Sequence, residues 1–108
     1  ILDLRPMIVE IARGLSQGRD AGEISSLFHN TLSAAIVDIC CRMRESDGLN
    51  RVCLSGGTFQ NLYLLHRAVT GLRSRGFRVF SHAMVPANDG GIALGQAAIA
   101  NALLRRGD

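Results

Sequence analysis

Residues 54–61, LSGGTFQN, decide the fold of this chain. They begin at the end of the apolar run VCL, which is typical of a buried strand, and they lead into an amphipathic segment. A strand that passes through two glycines into a helix places backbone N–H groups and a positive helix end at the carboxyl edge of a sheet. Ser55 adds a hydroxyl, and Asn61, about one turn into the helix, adds an amide. We predict an anion or nucleotide site here, with a simple tight turn as the alternative.

Apolar periodicity predicts four helices and two strands in the chain. The helices are expected at about residues 4–16, 21–44, 58–75 and 92–105, and the strands at 51–55 and 77–81. The first strand is apolar without alternation, which predicts that both of its faces are covered and that Cys53 belongs to the core. The middle of the chain is therefore strand–helix–strand, whose expected geometry is a right-handed parallel crossover.

The caps and apolar faces of the helices can be predicted in the same way. Asp3 is expected to cap the first helix, and Asp20 with Glu23 is expected to form a capping box at the second. The second helix is predicted to face inward through Ile24, Leu27, Phe28, Leu32, Ala35, Ile36 and Ile39. The third helix is predicted to face inward through Phe59, Leu62, Leu65, Val69 and Leu72.

Two strands make a poor sheet, and four helices would overfill its faces. The sequence therefore predicts an α/β fold in which further strands of the same sheet lie upstream in a longer protein. The chain also opens at Ile1 instead of a start methionine, which we interpret in the same way. Residues 1–108 are expected to form a single domain.

A second glycine-containing turn, PANDGG at residues 86–91, also follows a strand and opens a helix. In a parallel crossover it lies at the same sheet edge as Gly56 and Gly57, where α/β proteins bind ligands. Asp89 precedes two glycines that would keep the space around its carboxylate clear. It is suited to a metal ion or a metal-bound phosphate, with helix N-capping as the alternative.

Composition narrows the classes of function. A chain of 108 residues with a net charge of +3, 47% hydrophobic and 19% charged residues is expected to be a soluble globular domain. The basic residues are scattered and there is one tyrosine, so nucleic-acid binding is disfavoured. No apolar run of membrane-spanning length and no signal peptide is recognised, so we expect a cytoplasmic protein without a membrane partner.

The cysteines and histidines do not suggest a site of their own. The three cysteines lack C-x-x-C spacing. The three histidines show no metal-ligand spacing, and each is expected to be a hydrogen-bonded structural residue: His29, His66 and His82. The best placed of them is His82, because it lies near the Asp89 turn.

Three stretches occur in a specific order: ISSLFHN at residues 24–30, LSGGTFQN at 54–61 and VPANDGGIALGQA at 85–97. They are preceded by LDLRPMIVEIARGLSQG at residues 2–18. In order and spacing, this set closely resembles the C-terminal end of the HypF family of hydrogenase maturation carbamoyltransferases. The resemblance covers nearly the whole chain.

The resemblance implies a fold and a reaction. The fold would be part of an RNase H-like lobe of the actin-like ATPase superfamily, in which two lobes clasp a nucleotide. The enzyme would use carbamoyl phosphate and ATP to make carbamoyl-adenylate, and would pass the carbamoyl group to the C-terminal cysteine of a partner protein, HypE. Dehydration of that group would supply the cyanide ligands of nickel–iron hydrogenases.

The resemblance also assigns roles to residues by position. Gly56 and Gly57 match glycines that line the nucleotide, and Asn61 matches an asparagine that contacts the nucleotide or adenylate. Asp89 matches an aspartate that ligates a divalent metal, whose identity the sequence does not reveal. The family's histidine ligands for this metal, and several further domains, belong to upstream sequence that this chain does not include. We therefore expect the fragment alone to be inactive.

Two alternatives stay open from the sequence. The first is a related enzyme of the same superfamily, which would transfer threonylcarbamoyl to tRNA or carbamoyl to an oxygen acceptor. The second is a non-catalytic fragment that forms a homodimer through an exposed sheet edge or an uncovered helix face.

Overall fold

Two short parallel strands and the helix between them form the centre of the molecule. In the computed structural model, which describes residues 2–107, β1 (Arg51–Leu54) pairs in parallel with β2 (Arg78–Ser81). α3 (Leu62–Ser74) connects the two strands. The other helices are α1 (Arg5–Ser16), α2 (Ala21–Asp47) and α4 (Ile92–Arg106). The predicted α/β class and the predicted order of elements are confirmed.

The predicted helix caps are confirmed only in part. Leu4 occupies the N-cap position of α1, although Asp3 Oδ1 accepts a 3.0 Å hydrogen bond from the backbone N–H two residues later. At α2 the N-cap is Asp20, which accepts from the backbone N–H of Gly22 at 2.8 Å. No reciprocal hydrogen bond from the backbone N–H of Asp20 to the Glu23 carboxylate is found in residues 2–107, so the capping box is only half formed.

The core lies between the sheet, α2 and α3. Its buried members are Leu54, Ala68, Leu72 and Phe77. Along α3 the buried residues are Leu64, Ala68 and Leu72, whereas Leu62, predicted to face inward, is 75% exposed. The prediction failed because the buried stripe runs through Leu64, Ala68 and Leu72, and Leu62 precedes Leu64 by two positions, about 200° around the helix.

The sheet is covered on one face only. Val52 and Val79 pack against the core, whereas Cys53 and its cross-strand partner Phe80 are exposed. The prediction that β1 is covered on both faces and that Cys53 belongs to the core is therefore wrong. Within the described residues, α2 and α3 lie on the same side of the sheet. The prediction failed because an apolar strand does not by itself indicate what covers its second face.

Much apolar surface of the chain is left uncovered. The accessible surface is 7976 Å², against about 5,800 Å² expected for a compact protein of this mass. The radius of gyration is 17.5 Å, against about 13 Å expected. α4 has no buried residue, and three α2 residues predicted to face inward are at least 36% exposed, namely Leu27, Phe28 and Ile39. Several helix faces therefore lack a packing partner in the described chain.

By length and composition alone, α2 could cross a membrane. No segment of this kind was recognised from the sequence, and by this measure that expectation is wrong. The core helix of a soluble protein passes the same test. Here α2 contributes Ile36, Val37 and Cys40 to the packing around the core.

Candidate functional site

The two glycine-containing turns lie against each other at the carboxyl ends of β1 and β2. The backbone N–H of Gly56 donates a 2.9 Å hydrogen bond to the carbonyl oxygen of Ala87. Together the turns line a cleft of about 330 Å³, whose walls include Ser55, Gly57 and Asp89. The structure thus brings together four of the five residues that the sequence singled out.

The backbone of the first turn differs from the predicted corner. Gly56 has a φ of +104° and a ψ of 158°, which residues with a Cβ rarely adopt, and its N–H is used by the second turn. A four-residue 3-10 turn, Gly57–Gln60, then precedes α3. The predicted helix-dipole contribution is therefore lost, because no long helix starts at Gly57. The free donors are the N–H groups of Gly57 and Thr58, for which no protein acceptor is found in residues 2–107.

The glycines of the two turns are required for different reasons. A Cβ at Gly91 would lie 2.8 Å from the carbonyl oxygen of Pro86, and one at Gly90 would lie 2.9 Å from the Pro86 Cγ. This pair lets the second turn fold onto Pro86. The predicted role of the two glycines in keeping the space around Asp89 clear stays a prediction. A Cβ at Gly57 would meet no described atom closer than 4.0 Å, so the space in front of Gly57 is open.

The second turn is capped by Asn88 and not by Asp89. Asn88 Oδ1 accepts a 3.0 Å hydrogen bond from the backbone N–H of Gly90. The Asp89 carboxylate is exposed, lines the cleft and takes part in none of the side-chain hydrogen bonds or ion pairs found in residues 2–107. The N-capping alternative for Asp89 is therefore wrong, and the carboxylate is available to a ligand.

Ser55 and His82 are joined across the two strand ends. Ser55 Oγ lies 2.8 Å from His82 Nε2, and both residues line the cleft together with Asp89. In residues 2–107 no group of three His, Cys, Asp or Glu side chains is arranged to hold a metal ion. With one carboxylate among the lining residues, the described part of the chain does not make a metal site by itself.

Asn61 was predicted to lie about one turn into the third helix. In the structure it is the N-cap residue of α3. Its Oδ1 accepts a 3.1 Å hydrogen bond from the backbone N–H of Leu64, which is the N-cap interaction. Its Nδ2 lies 2.8 Å from Nε2 of His29 in α2. Asn61 therefore faces α2 and is not among the residues that line the cleft of Ser55 and Asp89.

The contact between α2 and the start of α3 was not predicted. The Tyr63 hydroxyl donates a 3.1 Å hydrogen bond to Asn30 Oδ1, and the Tyr63 ring meets the His29 ring edge to face at 5.6 Å. The available signal was the run His29-Asn30-Thr31, three polar side chains between the apolar residues Phe28 and Leu32. Such polar residues indicate that this surface of the helix makes a polar contact, but they do not identify the residue that it contacts.

A parallel strand–helix–strand unit with a cleft between two glycine-containing turns defines the class: α/β proteins whose sites lie at the carboxyl edge of the sheet. Residues 1–96 match a family described as carbamoyltransferase, Kae1-like domain, second subdomain. The chain belongs to the HypF carbamoyltransferase family. These matches do not support a tRNA-modifying or O-carbamoylating enzyme.

Relatives of known sequence and structure cover most of the chain. Carbamoyltransferase HypF of Rhizobium leguminosarum bv. viciae is 39% identical over 104 residues, which are 95% of this chain and 13% of that protein. Carbamoyltransferase HypF of Synechocystis sp. is 36% identical over 88% of this chain and 12% of its own length. A crystal structure of full-length HypF in its phosphate- and nucleotide-bound form matches with a TM-score of 0.85 and 46% identity, over 88% of this chain and 13% of that one. The chain therefore spans about an eighth of the length of these relatives.

Proposed function

We propose that this chain is the C-terminal, nucleotide-binding lobe of a hydrogenase maturation carbamoyltransferase. The lobe is RNase H-like, as in the actin-like ATPase superfamily, and it holds ATP and then carbamoyl-adenylate. The main support is the Gly56–Ala87 hydrogen bond, which sets both turns around one cleft. A relative 46% identical to this chain was crystallised in a phosphate- and nucleotide-bound form, which favours the same ligand class here.

The proposed mechanism is positioning and electrostatic stabilisation of the phosphates. The N–H groups of Gly57 and Thr58 donate to phosphate oxygens. The hydroxyl of Ser55 adds a third donor in the His82 tautomer whose Nε2–H donates to Ser55 Oγ, because the single hydroxyl proton is then free for the ligand. Gly56 shapes the turn through its positive φ. Asn61 donates an amide N–H to the nucleotide or adenylate from the α2 side of the turn.

Asp89 would supply one oxygen ligand to a divalent metal beside the phosphates. The described residues offer no complete ligand set, so the remaining ligands would come from outside residues 2–107. When bound, such a metal neutralises phosphate charge. The isolated chain is therefore expected to show no carbamoyl transfer.

The proposed reaction belongs to the longer protein. That protein uses carbamoyl phosphate and ATP to form carbamoyl-adenylate and transfers the carbamoyl group to the C-terminal cysteine of a HypE-type acceptor. The product is a precursor of the cyanide ligands of nickel–iron hydrogenase, and the reaction takes place in the cytoplasm. The support is that the relatives are named carbamoyltransferases.

The test uses a full-length HypF in which this chain replaces the matching segment. Asn61→Ser keeps an oxygen for the N-cap of α3 but removes the amide donor. We expect adenylate formation at limiting ATP to fall about tenfold with an unchanged unfolding midpoint. Asp20→Ser, the same kind of exchange at the α2 cap, is the control. Full ATP use by Asn61→Ser would show that the role of Asn61 is wrong.

A second candidate function, self-association of the isolated chain, rests on α4. None of its residues is buried, and Ile92, Ile99 and Leu103 fall on one face of the helix. This face would pair with a second copy of the chain. Sedimentation should show a concentration-dependent dimer that Ile99→Glu removes and that Asn101→Glu, on the opposite face, retains. A monomer at every concentration would contradict the homodimer.

A further inference from the structure

The tautomer of His29 follows from its hydrogen bonds. Nδ1 of His29 lies 2.7 Å from the backbone carbonyl oxygen of Ser25, one turn earlier in α2. Because a carbonyl oxygen only accepts hydrogen bonds, Nδ1 must carry the proton. In the neutral imidazole, Nε2 is then an acceptor.

The orientation of the Asn61 amide follows in turn. Nδ2 of Asn61 donates to Nε2 of His29 at 2.8 Å, and Oδ1 accepts from the backbone N–H of Leu64 at 3.1 Å. The reverse orientation would set oxygen against the His29 acceptor and NH₂ against the Leu64 donor. One N–H of the Asn61 amide is left without a protein acceptor in the described residues.

We propose that His29 is a positioning residue of the nucleotide site. It holds the Asn61 amide so that the remaining N–H can donate to an acceptor on the ligand, a ribose or phosphate oxygen. This inference rests on the proposed function, because it takes Asn61 to be a nucleotide contact. The edge-to-face contact of the Tyr63 ring with His29 and the Tyr63–Asn30 hydrogen bond keep the two helices in register.

Besides the Asn61 contact, His29 packs edge to face against the rings of Phe28 and Tyr63 and donates to the Ser25 carbonyl oxygen. It is half-buried and lies outside the hydrophobic core, and the N-cap of α3 is formed by Asn61 Oδ1 without it. Without the Nε2 acceptor, the Asn61 amide can turn while the fold stays intact. The expected effect of losing His29 is therefore on ligand binding and not on folding.

The tautomer can be measured in the 108-residue chain. Long-range ¹H–¹⁵N NMR at mildly alkaline pH should show His29 protonated on Nδ1, and the His29 Nε2 resonance should shift in Asn61→Ser. His66, which forms no side-chain hydrogen bond among residues 2–107, is the internal reference. A proton on His29 Nε2, or no shift in the variant, would overturn the proposal.

Kinetics then test the positioning role in the full-length HypF that carries this chain. His29→Leu should raise the KM for ATP about tenfold and leave the KM for carbamoyl phosphate unchanged. His29→Gln, which restores an acceptor, should recover most of the loss. Tyr63→Phe keeps the ring contact with His29 and loses only the hydrogen bond to Asn30, so its effect should be smaller than that of His29→Leu. The double variant His29→Leu/Asn61→Ser should have the same KM for ATP as Asn61→Ser alone, because the two substitutions remove the same interaction.

The outcomes separate the two claims. If Asn61→Ser leaves ATP use unchanged, the proposed nucleotide contact itself fails. If Asn61→Ser weakens ATP use but His29→Leu does not, only the positioning role of His29 is wrong. Equal losses in His29→Leu and His29→Gln would also overturn it, because the acceptor would then not matter.

Discussion

The backbone N–H of Gly56 and the carbonyl oxygen of Ala87 are 2.9 Å apart, and this hydrogen bond sets the two glycine-containing turns side by side. Both turns follow parallel strands, so they leave the sheet at the same edge. The bond directs the Gly56 N–H toward the second turn and leaves the Gly57 N–H without a protein acceptor among residues 2–107. The two adjacent glycines therefore serve different purposes.

Alanine should distinguish Gly56 from Gly57. Gly56→Ala forces a residue with a Cβ into a φ of +104°, so we expect a loss of about 1–2 kcal/mol in the free energy of unfolding. Gly57→Ala meets open space, so it should change stability by less than about 0.5 kcal/mol. Urea unfolding of the chain measures both. Equal effects of the two variants would show that the positive φ of Gly56 does not constrain the residue.

Gly71 allows α2 and α3 to approach closely. A Cβ at this position would lie 2.8 Å from Val37 Cγ2. Gly71→Ala should destabilise the chain by about 1–3 kcal/mol despite the better helix propensity of alanine, because the β-branched Val37 cannot move aside freely. Adding Val37→Ala should recover part of this loss in a double-variant cycle. Strict additivity of the two changes would argue against the contact.

Arg44 joins the end of α2 to the loop before β2. Its Nη1 donates a 2.7 Å hydrogen bond to the carbonyl oxygen of Arg75, and its guanidinium lies 4.2 Å from the centroid of the Phe77 ring. Arg44→Leu should lower the free energy of unfolding by about 1–2 kcal/mol. Arg44→Lys should restore little, because an ammonium lacks the planar donor geometry.

Arg42 provides the matched control for this effect. It forms an exposed ion pair with Asp38 at 2.8 Å, and such pairs contribute about 0–1 kcal/mol. Arg42→Leu should therefore leave the urea midpoint nearly unchanged. If Arg42→Leu costs as much as Arg44→Leu, the contacts of Arg44 are not the source of its effect.

The cysteines should differ in reactivity. Burial raises the pKa of the Cys40 thiol, with a further contribution from the neighbouring Cys41. A raised pKa leaves less thiolate at neutral pH, so Cys40 should react slowly and should gain reactivity as the pH rises. Cys53 is exposed and should be alkylated first. Peptide mass spectrometry after timed iodoacetamide treatment measures the order, and Cys53→Ser identifies the fast site. Faster labelling of Cys40 would contradict the burial argument.

Local patterns were sufficient for the elements and for the two turns. The strand–helix–strand order, the start of α4 at Ile92 and the turn at Gly56 and Gly57 all follow from apolar periodicity and from the steric freedom of glycine. The meeting of the turns also follows, because consecutive parallel strands end at one edge. These features depend on the neighbours of each residue in the chain.

Long-range packing decided the rest. An apolar pattern shows that a face favours burial but does not identify what covers it, so Cys53 and Leu62 were expected inside and lie outside. The contact of Asn61 with His29 depends on how α2 packs against the start of α3. The two residues are far apart in the sequence, so no local pattern predicts that they meet. Sequence alone thus determined which groups lie at the rim of the sheet. The tertiary structure decided which of them face the cleft and which face α2, because only the packing of the helices brings distant hydrogen-bond partners within reach.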